Sequence, residues 1–130
     1  MITMLKPLTE EKLHAVLRSL GPGFVLPKYR TIVRWTPEYP TAGHCWVLAE
    51  LVYKVLFTDK QRAVYKLYRL PFGRYNHYYL MSRDKSVVVD LSYEQFRGKL
   101  PPYERGVPAE FWPLLSLRGR KLTDLLGLKY

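Results

Sequence analysis

The amino-acid sequence predicts an α+β domain in which N-terminal helices pack on an antiparallel β-sheet. Three observations carry this. Two helical patterns occupy the first half of the chain. Consecutive β-rich segments separated by a short polar turn follow them. The 130 residues, 48% of them apolar, suffice for one buried core without disulfides or a structural metal. The expected organisation is a single domain over residues 1–130.

The first helix opens at Thr9. Its hydroxyl suits an N-cap, Glu10 and Glu11 suit the positive helix start, and Leu8 with Leu13 has hydrophobic-staple spacing. Leu13, Val16, Leu17 and Leu20 form one apolar stripe, which Gly21-Pro22-Gly23 ends. Segment 21–44 contains Pro22, Pro27, Pro37 and Pro40. It reads as a long ordered loop with a short strand at Thr31–Trp35, and loops of that length are usually functional. A second helix is expected from Cys45 to Phe57. Val47, Leu48, Leu51, Val52, Val55 and Leu56 cover it nearly all round, so it belongs at the centre.

Three strands are expected next, at Arg62–Leu70, Tyr75–Ser82 and Ser86–Ser92, the last two joined by a hairpin turn at Arg83-Asp84-Lys85. Tyr93-Glu94-Gln95-Phe96 starts a short helical turn. The tail from Leu100 is loop-rich through Pro101, Pro102 and Pro108 and ends in a short helix or strand near Leu122–Leu126.

Composition narrows the function classes. No apolar run reaches the ~18 residues that span a bilayer, and the N-terminus lacks a signal-peptide pattern. The single cysteine forms no internal disulfide and no cysteine-rich zinc site. A reduced, cytosolic protein is the expectation. With no Gly-rich phosphate loop and no ligand cluster, neither a nucleotide cofactor nor a metal is implied. The net charge of +10 favours an acidic protein, nucleic acid or an anionic surface as partner. However, the basic residues are spread along the chain, and the densest run, Arg118-Gly119-Arg120-Lys121, carries no nucleic-acid recognition motif.

The chemistry-bearing residues are few. Cys45 lies at the first turn of the central helix, where unpaired N–H groups and the dipole stabilise a negative sulfur. An ordinary small buried cysteine is the bland alternative. In the second hairpin, a loop of two or four residues pairs positions that sum to 167. His77 and Asp90 then stand directly opposite, with Cβ atoms about 4.5–5.5 Å apart. A carboxylate there holds the imidazole in one tautomer. A purely structural His–Asp hydrogen bond, or Asp90 capping the following turn, is the alternative. The order thiol, histidine, carboxylate is that of papain-like and transglutaminase-like enzymes. His44, Trp35 in the preceding loop, Trp46 beside the thiol and Asn76 beside His77 are lesser candidates for contact with substrate or oxyanion; His44 serves equally as a capping residue.

Residues 35–56, WTPEYPTAGHCWVLAELVYKVL, resemble the Trp-Ser/Thr-Pro…Pro…Gly-Gln-Cys segment of the YunG-like family. Residues 76–96, with His77-Tyr78 and Asp90-Leu91-Ser92 ahead of Gln95-Phe96, resemble that family's C-terminal pattern. The likeness covers about residues 35 to 96 and departs at His44, where the family carries glutamine. It implies a papain-like core with Cys45, His77 and Asp90 as the triad, a loop shaped by Trp35, Pro37, Pro40 and Gly43, and Gln95 and Phe96 closing the sheet. The expected activity is a thiol hydrolase or acyl-transfer enzyme acting on an amide of a protein or peptide, as peptidase, isopeptidase or glutamine deamidase. The alternative is a non-catalytic basic protein of the same fold that binds an acidic protein or nucleic acid.

Overall fold

The computed structural model describes residues 8–27, 35–72, 75–96 and 99–129, without the side chains of Phe72, Tyr75, Glu94 and Gln95. The strand expected at Thr31–Trp35 lies almost entirely outside the described residues. What is described is α+β, with four α-helices and one four-stranded antiparallel sheet.

Helix α1 (Glu10–Leu20) forms as its caps dictate. Thr9 Oγ1 accepts from the Lys12 N–H at 3.2 Å, and Leu8, Leu13 and Leu17 are buried. The following loop is tied down locally. Arg18 Nε donates to Pro37 O at 2.7 Å, and Trp35 Nε1 donates to Pro40 O at 2.9 Å. Gly43 ends the loop with φ +83°, and a Cβ there would lie 2.9 Å from Val25 Cγ1. A side chain would meet both backbone strain and a wall.

Helix α2 (Cys45–Leu51) continues into one π-helical turn at Val52–Leu56, where the Phe57 N–H reaches Val52 O at 2.8 Å. The expected helix thus has nearly the expected span but not uniform geometry. Val47, Leu48, Leu51 and Val52 make α2 the hub of the main core, with Leu13 and Leu17 of α1, Leu67 and Leu80 of the sheet, and Leu122 and Leu126 near the C-terminus.

Helix α3 (Asp59–Val64) takes the first three residues of the expected strand Arg62–Leu70. Thr58 and Gln61 form a reciprocal capping box, with Thr58 Oγ1 accepting at 3.2 Å and Gln61 Oε1 at 2.8 Å. Strands β1 (Tyr65–Phe72) and β2 (Tyr75–Ser82) pair along their whole length. Strand β3 is only Val88–Val89, shorter than the expected Ser86–Ser92, because the chain turns away at Asp90. Strand β4 (Val107–Pro108), which sequence patterning did not reveal, adds to the free edge of β1, giving the order β3-β2-β1-β4. Alternation along β1 and β2 sends Leu67 and Leu80 toward α2. It sends Tyr68, Leu70, Tyr79 and Met81 into a second, smaller cluster that Tyr103 closes.

Register in the second hairpin differs from expectation. Leu80 pairs with Val89 and Met81 with Val88, so partners sum to 169 rather than 167. The turn residues explain the shift. Asp84 Oδ1 accepts from the Ser86 N–H at 3.0 Å and from the Ser82 and Ser86 hydroxyls, each at 2.7 Å, while Lys85 adopts φ +64°. Ser82 Oγ in turn accepts from the Ser86 and Val87 N–H groups. This side-chain cap makes a four-residue loop, Arg83–Ser86, closed by Ser82 and Val87. A shift of two preserves the face, so His77 and Asp90 remain on the same side as diagonal neighbours rather than directly opposite.

The tail ends in α4 (Leu117–Leu125), longer than expected, with Ser116 as N-cap at 3.0 Å from the Gly119 N–H. Gly106, in the strand-poor segment before β4, is fixed by packing: a Cβ there would lie 1.8 Å from Tyr79 Oη.

Candidate active site

Cys45, His77 and Asp90 come together. The Tyr75–Ser82 strand carries His77 on the face shared with Tyr79, and Asp90 follows β3 directly. Since β3 pairs only with Leu80 and Met81, it stops short of His77. The start of α2 approaches β2 there, with Cys45 Sγ 3.9 Å from Asn76 O. His77 Nε2 bonds Asp90 Oδ2 at 2.6 Å, and Cys45 lies near enough to the same ring to favour its charged form. With Nε2 committed to the carboxylate, Nδ1 is the nitrogen left for the sulfur.

Asp90 is held on both oxygens. Oδ1 accepts from the Ser92 N–H at 3.1 Å and the Ser92 hydroxyl at 2.9 Å, while Oδ2 accepts from His77 and from the Tyr103 hydroxyl at 2.7 Å. A carboxyl group held by this many bonds is oriented as an anchor for the ring. Tyr103 was not foreseen: it lies in the proline-rich tail, where neither periodicity nor a motif points to it. Ser92 was legible in principle, since Asp-x-Ser is a common side-chain-capped turn.

The ring environment is dry. His77 and Asp90 are buried, and Cys45 is 4% exposed. Phe96 meets the His77 ring edge-on at 4.8 Å, and Tyr79 stacks on it at 5.7 Å. The crevice beside Cys45, lined by Leu48, Val52, Tyr79, Val89 and Asp90, has no room for a water molecule. Burial alone would pull the His77 pKa down. The Asp90 charge and hydrogen bond, reinforced by Cys45, outweigh it and raise His77 from 6.5 to about 9. Burial and the Asp90 anion push the Tyr103 phenol upward, so it remains a neutral donor to that carboxylate. The arrangement can therefore hold a protonated imidazole between a thiol and an anion, as nucleophilic thiol chemistry requires.

The lesser candidates take other roles. His44 is the N-cap residue of α2 but makes no side-chain cap bond. Its ring is fully buried, Nδ1 accepts from Arg118 Nη2 at 2.8 Å, and burial with the Arg118 charge lowers its pKa to about 3. Trp46 packs edge-on against Tyr78 and Phe111, in the aromatic fringe of the main core. Trp35 braces the loop through Pro40, and Asn76 offers the thiol its backbone carbonyl. Arg118, in the densest basic run, is half-buried and bonded to His44 and Phe24 O, and Gly119 is buried; only Arg120 and Lys121 of that run are exposed.

Among the described residues, no three His, Cys, Asp or Glu side chains cluster as a metal site needs. No described helix is long and apolar enough to cross a membrane. No family profile, curated protein or solved structure matches this chain.

Proposed function

We propose that the protein is a thiol hydrolase or acyl-transfer enzyme with a papain-like core, acting on an amide bond of a protein or peptide. The observation that carries this is the buried 2.6 Å His77–Asp90 bond with the Cys45 thiol beside it, Sγ lying 3.9 Å from the carbonyl of the neighbouring Asn76. The likeness of residues 35–56 and 76–96 to the YunG-like pattern supports the same assignment of roles.

In this reading Cys45 gives its proton to His77, and the thiolate attacks the amide carbon. The Cys45 backbone N–H, at the helix start, donates to the developing oxyanion. His77 then protonates the leaving nitrogen, the C–N bond breaks and an acyl thioester remains. Water, deprotonated by His77, hydrolyses it and restores the thiol. Asp90 fixes the ring and stabilises its charge without taking the proton. Peptide, isopeptide and glutamine side-chain amides all satisfy this scheme.

The test is alkylation by iodoacetamide across pH 5 to 9, with glutathione as the reference thiol. An ordinary thiol with pKa about 8.5 is less than about 1% thiolate at pH 6. The Cys45–His77 pair should react at least tenfold faster than glutathione at pH 6, and His77→Ala should lose that excess. Equal rates for wild type and His77→Ala at pH 6 favour the non-catalytic basic binding protein instead.

A further inference from the structure

A groove of about 320 Å³ lies apart from the thiol, between the sheet and the segment leading to α4. Tyr53, Leu67 and Phe111 line it, with Lys66 and Arg83 among its walls and Trp112 at its margin. Trp112 is 74% exposed, and Leu114 and Leu117, just along the chain, are 72% and 83% exposed. An exposed aromatic side chain at the rim of a partly apolar groove marks a contact surface.

Their backbone is not loose. Lys54 Nζ donates to both Trp112 O and Leu114 O, and it pairs with the fully buried Glu50 carboxylate at 3.6 Å. Glu50 also accepts from the Ser116 N–H and hydroxyl. An ion pair with a buried carboxylate thus clamps the backbone of residues 112–116 while the Trp112 and Leu114 side chains stay exposed. Preorganised exposed anchors of this kind lower the ordering cost of binding.

Charge selects the occupant. The Lys54 charge is balanced internally by Glu50. Lys66 and Arg83 donate to the Ala109 and Ala63 carbonyls and form no ion pair among the described residues, so with Lys54 offset these two cations outnumber Glu110, the carboxylate that also lines the groove. A second copy of a chain with net charge +10 is repelled. Nucleic acid offers phosphate charge but no aliphatic side chain to pack beside Leu67 in the groove. We infer that this groove docks a short acidic segment of a partner protein, seating an apolar or aromatic side chain against Trp112 and placing carboxylates on Lys66 and Arg83.

The test measures binding of a fluorescein-labelled Glu/Tyr copolymer, with poly-Glu and a labelled 20-nucleotide single strand as comparisons. Binding is read in wild type, Trp112→Ala, Lys66→Glu/Arg83→Glu and the control Arg120→Glu/Lys121→Glu, each first checked for an unchanged unfolding transition. The Glu/Tyr copolymer should bind more tightly than poly-Glu. Its affinity should fall at least tenfold in Trp112→Ala and in the groove charge reversal, and less than threefold in the control. Equal losses in both charge reversals would make the attraction diffuse and overturn the groove. So would no detectable copolymer binding, or a nucleic-acid affinity that exceeds the copolymer's and depends on Trp112.

Discussion

Replacing Asp90 by asparagine removes one charge from a dry site and leaves its shape nearly intact, so its consequence can be worked from the structure. In the wild type, His77 titrates at about 9 when folded against 6.5 when unfolded. Because the folded value is the higher, the stabilisation is fully present below pH 6.5 and is lost as pH rises through about 9. The difference, at about 1.4 kcal/mol per pH unit, corresponds to roughly 3 kcal/mol. That is a large share of the ~5–15 kcal/mol stability of an ordinary domain. In Asp90→Asn the raising charge is gone while burial still disfavours the cation, so His77 should titrate below 6.5. Urea unfolding at pH 6 and pH 9.5 reads the stability, and the nitrogen shifts of the ring read the titration directly. Wild type should lose roughly 3 kcal/mol over that interval relative to the variant. A wild-type ring that titrates near 6.5, or parallel stability profiles for the two proteins, would refute the reasoning.

Two further perturbations probe what holds the site in place. Gly106→Ala forces a methyl to within 1.8 Å of Tyr79 Oη, in a region where the buried Tyr79 ring cannot swing aside. It should cost on the order of 1–3 kcal/mol, seen as a lower thermal midpoint, and should slow Cys45 alkylation by disturbing Tyr103, whose carbonyl accepts from the Tyr79 hydroxyl. Glu50→Ala leaves Lys54 without its buried counter-charge and Ser116 without its acceptor. A loss of about 3–5 kcal/mol is expected, with faster amide exchange concentrated in residues 112–120.

Much of the local structure is written in short patterns. The Thr9 cap, the staple of Leu8 with Leu13 and the apolar wrap of residues 47–56 each appear as the sequence implies. The capping box at Thr58 and Gln61 was equally legible; a strand at Arg62 overlooks it because Val64 and Tyr65 favour extended backbone. The parity that joins His77 to Asp90 follows from period-two alternation, whereas the absolute register depends on how Asp84 and Ser82 cap the loop, which composition of the turn alone does not specify. Two buried partners were beyond local reasoning. Glu50 reads as the exception on an apolar helix until Ser116, 66 residues later, supplies its hydrogen bonds. Tyr103 finds Asp90 only after the tail folds back across the sheet.

That last contact has a consequence for the order in which the site is assembled. The sulfur, the ring and the carboxylate are all synthesised by residue 90, yet the phenol that secures the carboxylate arrives with residue 103, beside a strand laid down at 107–108. A chain emerging from the ribosome would thus carry Cys45 and His77 early and gain the bond that secures Asp90 late. Under the proposed thiol chemistry, that delay would spare neighbouring proteins from an unfinished catalyst.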